Sequence, residues 1–141
     1  MPDVLRRPVG GALFAYAIIY TVQVVFDTFY SGVLAPSDVY RVLNYLTAVG
    51  ILVSVVVVWS HKTSGGSADA SAGRYLAAQA GFYCTLALAI LFFSLWFRLL
   101  NMADGESFSE ADNVAWYLVA VLNPLVLGTV GAGLWKSAAK G

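Results

Sequence analysis

VGGALFAYAIIYTVQVVFDTFY, residues 9–30, decides how the chain is read. At about 1.5 Å per residue, a helix of this length crosses a hydrocarbon core of about 30 Å. The run carries one polar stripe. Tyr16, Tyr20, Gln23, Asp27 and Tyr30 follow one another at steps of four, three, four and three, which sets them on one helix face. Asp27 is the only carboxylate inside any of the long apolar runs. The stretch is too long for the apolar segment of a signal peptide and contains Gln23 and Asp27, so it reads as a retained span.

Composition agrees. The 141 residues are 60% hydrophobic and 11% charged, where ordinary soluble domains carry about 25% charged residues. The excess apolar surface must face lipid. Formal net charge is zero and the basic residues sit at the edges of the apolar runs, so there is no patch for nucleic acid. The lone cysteine, Cys84, excludes an intrachain disulfide and reads as a small buried hydrophobe. The lone histidine, His61, excludes haem held by two histidines of this chain. Neither a metal nor another cofactor is expected, and no nucleophile–base set or phosphate loop is visible.

Working outward, three more apolar runs occupy about residues 40–60, 75–100 and 114–135. They are continuous rather than alternating, which excludes a β-barrel. The second ends in β-branched residues, but its length and the flanking Trp59 and Lys62 favour a membrane helix. The expectation is an all-α membrane protein: a single four-span domain over 1–141, its helices in an antiparallel bundle. Pro8 and the Gly10-Gly11 pair suit the start of the first helix, and Ser37 is a candidate N-cap for the second. Residues 61–73 form a small, polar linker. In the acidic loop 101–112, Ser107 with Glu110 and Ser109 with Asp112 both read as capping boxes. Arg6, Arg7, Lys62, Arg74, Lys136 and Lys140 fall on one side, which the positive-inside rule places in the cytoplasm together with both termini. A plasma or inner membrane is favoured.

Polar residues within spans need partners or water. On the second helix Arg41, Asn44, Thr47 and Ser54 share a face; on the third, Gln79, Tyr83, Ser94, Arg98 and Asn101 share one. Turning each line inward gives a candidate polar pocket or ion-pair cluster of Gln23, Asp27, Arg41, Asn44, Arg98 and Asn101, in which Asp27 pairs with Arg98 or Arg41. Tyr16, Tyr20 and Tyr30 form a candidate ligand-facing stripe. Asn123-Pro124 removes a backbone hydrogen bond in mid-span and predicts a kink. Gly128 with Ala132, Thr129 with Gly133 and Ala77 with Gly81 are small-residue pairs suited to close helix contact.

Three functions fit these features. The leading expectation is a non-catalytic accessory or assembly subunit of a larger integral-membrane complex, its partners being lipids and other subunits or further copies of itself. The alternatives are a small oligomeric transporter or channel with an outward-facing polar pocket, and a lipid- or quinone-binding membrane protein.

Overall fold

The computed structural model describes residues 3–30, 36–64, 72–103 and 106–138. They form four helices: α1 (Asp3–Tyr30), α2 (Pro36–Ser64), α3 (Ala72–Leu100) and α4 (Glu110–Ala138). Among the described residues there are no strands. Each helix contains a stretch long and apolar enough to cross a membrane, which points to a multi-pass membrane protein.

Every helix reaches beyond its apolar run. Helix α1 begins at Asp3, so Pro8 lies inside it rather than at its start. The cost is one early backbone bond, to Val4, where the helix is only beginning its ladder. Helix α2 begins at Pro36, one residue ahead of Ser37, with the proline in the first turn where its missing N–H is not needed. At the start of α4 two capping boxes competed and one formed. Ser109 Oγ accepts from the Asp112 N–H at 3.2 Å, and Asp112 Oδ2 accepts from the Ser109 N–H at 3.2 Å. Glu106 instead closes the preceding loop, its carboxylate accepting from the Ala103 N–H at 3.1 Å. Of the linker 61–73, residues 65–71 lie outside the described residues.

Helix α4 touches all three other helices, while among the described residues α1 and α3 do not meet. The α1–α4 seam is the tightest. A Cβ placed on Gly10 would stand 2.7 Å from the Trp135 nitrogen and 2.8 Å from the Gly131 carbonyl oxygen. One placed on Gly131 would stand 2.7 Å from the Phe14 nitrogen and 2.8 Å from the Gly10 oxygen. The two backbones are therefore in contact, which only glycine permits. Farther along, Ala17 lies against Gly128. The expected small-residue pairs are used only in part: Gly81 and Gly133 face open space.

Two apolar clusters fill the interior. Leu13, Ala17, Val57, Leu127 and Leu134 pack along the α1–α4 seam. Ala48, Ile51, Leu88, Phe92, Leu95, Val119 and Val126 join α2, α3 and α4. The second cluster corrects the inward polar line expected on α3. That helix buries Phe82, Thr85, Leu88, Phe92 and Leu95, while Tyr83, Ser94, Arg98 and Asn101 are exposed. Ser94 and Asn101 satisfy themselves on their own helix, at Leu91 and Phe97 carbonyls, and so do not require an inward position. Cys84 is likewise exposed rather than buried. Helix α1 presents Ile18, Ile19, Val22, Val25, Phe26 and Phe29 outward.

Candidate functional site

The buried face of α2 carries Asn44, Thr47 and Ser54, at 6%, 1% and 0% exposure. Thr47 lies where three helices converge. Its Oγ1 is 2.6 Å from the Tyr16 hydroxyl of α1 and accepts from Asn123 Nδ2 of α4 at 3.3 Å. The Tyr16 hydroxyl donates to the Leu43 carbonyl at 3.0 Å, so the Thr47 hydroxyl donates to Tyr16. Both hydroxyl protons of this set thus have an acceptor. Asn123 is fully buried, and its Oδ1 has no protein partner among the described residues, nor has Gln23 Nε2. Buried polar atoms of this kind call for a partner, from water, a ligand or another helix.

One turn away from this set a cavity of about 560 Å³ opens between the helices. Its lining comes from Tyr20, Val24 and Asp27 of α1, Tyr40 and Asn44 of α2, Leu99 of α3, and Trp116, Tyr117 and Ala120 of α4. The Tyr40 hydroxyl donates to Asp27 Oδ2 at 3.0 Å. Trp116 is held by ring contacts to Phe92 at 6.2 Å and Phe108 at 6.1 Å. The Tyr20 ring leans on that of Tyr16, 6.0 Å away, and so joins the pocket to the hydrogen-bonded set.

Helix α4 continues through Pro124. A proline there cannot donate to the carbonyl four residues earlier. That carbonyl belongs to Ala120, a pocket-lining residue. The Asn123-Pro124 pair thus gives the site a buried amide below and a carbonyl relieved of its helical donor above.

The polar cluster expected from the sequence is only partly assembled. Asp27 and Asn44 line the pocket together. Gln23 is half-buried beside it. Arg41 is exposed, as suits a long cationic side chain near the end of a span. Arg98 is also exposed and donates to Asp112, across the α3–α4 loop. Asn101 bonds only its own helix. Tyr16 and Tyr20 both face inward, and the side chain of Tyr30 lies outside the described residues. Sequence reasoning had not set Tyr40, Trp116 and Tyr117 in a site. For Trp116 a signal existed, since it stands seven residues, two helical turns, before Asn123.

A second cavity, of about 510 Å³, lies toward the opposite ends of the helices, among Val57, His61, Ala77, Gly81, Cys84 and Gly133. No group of three or more metal-ligating side chains occurs among the described residues. Comparison of the chain with protein-family models, curated proteins and solved structures finds no match.

Proposed function

We propose that the protein is a small membrane transporter or carrier that takes up a small polar molecule in the pocket between Tyr20, Asp27, Tyr40, Asn44 and Trp116. The observation that carries this reading is the pocket itself: about 560 Å³, between apolar helices, and underlain by hydrogen-bonded groups. Cavities of about 300–1,000 Å³ with a few placed polar groups suit small ligands. The Tyr16, Thr47 and Asn123 side chains form its floor. Passage of a ligand requires that floor to open, and Pro124, next to Asn123, supplies the point of bending.

The same reading takes the helices as an antiparallel bundle with both termini in the cytoplasm of a plasma or inner membrane. Asp27, Tyr40, Leu99 and Trp116 share one cavity, and His61, Ala77 and Gly133 share the other, as helices alternating in direction require. Arg7 stacks over the Trp135 ring at 5.1 Å, and Lys62 over Phe82 at 4.1 Å, at the end away from Asp27. The positive-inside rule assigns that end to the cytoplasm and the Asp27 pocket to the outside.

The test is a panel of small amines, carboxylic acids, alcohols and sugars, titrated against the purified protein in lipid nanodiscs by tryptophan fluorescence. The reading expects at least one saturable binder whose signal disappears in Ala120→Phe, which fills the pocket. A panel without any such binder overturns it. For a binder, uptake into proteoliposomes then separates transport from binding alone.

The accessory-subunit reading keeps one favouring observation, the outward apolar face of α1 from Ile18 to Phe29, which suits a neighbouring helix as well as lipid. Purification in mild detergent tests it: stoichiometric partners support it, and a clean monomer or homo-oligomer counts against it.

A further inference from the structure

Within the small-molecule reading, on which this inference rests, the chemistry of the pocket selects one class of ligand. We propose that the site is built for a protonated organic amine. Charge comes first. Among the described lining residues Asp27 is the one carboxylic acid, and none is basic. Arg41 is exposed, and Arg98 engages Asp112. A carboxylate in a low-dielectric surround repels another carboxylate or a phosphate strongly.

Aromatic content comes second. Tyr20, Tyr40, Trp116 and Tyr117 all contribute to the wall. Aromatic rings attract ammonium groups through their quadrupoles, tryptophan most of all, and the attraction grows as water is excluded. Trp116 is fixed in place by Phe92 and Phe108, so this part of the wall is preorganised.

Hydrogen-bond supply comes third. The lining offers the Asp27 carboxylate and the Asn44 side chain. An ammonium with N–H donors can use these acceptors, which a neutral hydrocarbon or a quaternary ammonium cannot. Val24, Leu99 and Ala120 supply apolar wall for a carbon body. A bare divalent cation fits poorly: calcium takes six to eight oxygen ligands, and the described lining residues include a single carboxylate.

The experiment compares benzylammonium, benzyl alcohol and benzoate on the unmodified protein in nanodiscs, with tryptophan fluorescence as the readout. These probes share a ring and differ in charge. The amine should bind about tenfold or more tightly than the alcohol, with benzoate weakest. Asp27→Asn, close to isosteric, should remove most of the preference for the amine over the alcohol. Equal binding of amine and alcohol, both displaced by Ala120→Phe, overturns the amine assignment and leaves the small-molecule reading standing. Tighter binding of benzoate overturns the amine assignment as well. Because the comparison is made on the unmodified chain, misfolding of a variant does not decide it.

Discussion

Thr47 has one hydroxyl and serves two other helices with it, giving its proton to Tyr16 and taking one from Asn123. Replacing it with valine keeps the shape and removes both bonds. Thr47→Val should lower stability by about 1–2 kcal/mol, given about 0.6 kcal/mol for an average interhelical hydrogen bond and more where a buried amide is stranded. Thr47→Ser should retain most of it. Reversible unfolding in mixed detergent micelles measures both, and a Thr47→Val protein as stable as the parent would dismiss the set as structurally idle. At this scale the sequence was informative about spacing and silent about direction. The stripe Tyr16, Tyr20, Asp27 could be read from its period, because a helix face is a matter of spacing. The α3 line had an equally clean period and turned outward, since Ser94 and Asn101 bond their own backbone and Arg98 reaches water at the helix end. The partner of Arg98 was hidden for another reason. Asp112 lies beyond a loop whose path no local rule supplies.

Between elements, the α1–α4 seam makes a sharper claim than any motif. Gly10→Ala puts a methyl group 2.7 Å from the Trp135 backbone nitrogen, and no side chain can move aside to relieve it. The helices must separate, at a cost of about 1–3 kcal/mol for an overpacked contact. Gly133→Ala meets nothing within 4 Å and should be neutral or slightly stabilising. Thermal unfolding of the two variants side by side checks the pair; equal melting temperatures would mean that the seam is not where α1 is held. Four helices of membrane-spanning length were legible from the apolar runs alone. Where they begin was not, because each starts among polar residues that hydropathy does not mark, whereas α1 and α3 end where their apolar runs do, at Tyr30 and Leu100. The seam itself was only half legible. Gly128 and Gly133 looked suitable on α4, and the use of Gly131 depends on Gly10 arriving opposite it.

For the whole molecule, the testable matter is which end faces which compartment. In a Cys84→Ser background, Ser107→Cys should react with a membrane-impermeant maleimide on intact cells, and Ser137→Cys only after permeabilisation. The reverse pattern would invert the orientation and make the amine site cytoplasmic. Composition already told that the chain belongs in a bilayer, since so few charges cannot clothe a water-soluble domain of this size. The pocket was out of reach of such reasoning, because its described lining residues come from all four helices. The seam between α1 and α4 also bears on how the protein is made. Of the four helices, the first to be made is locked by the fourth, with the other two between Gly10 and Gly131. Until α4 is inserted, the glycine face of α1 and its inward tyrosines have only lipid or the insertion machinery for company. Packing of these four helices is therefore completed by a single closing event, and a nascent chain stalled before it carries α1 with its principal docking partner still unmade.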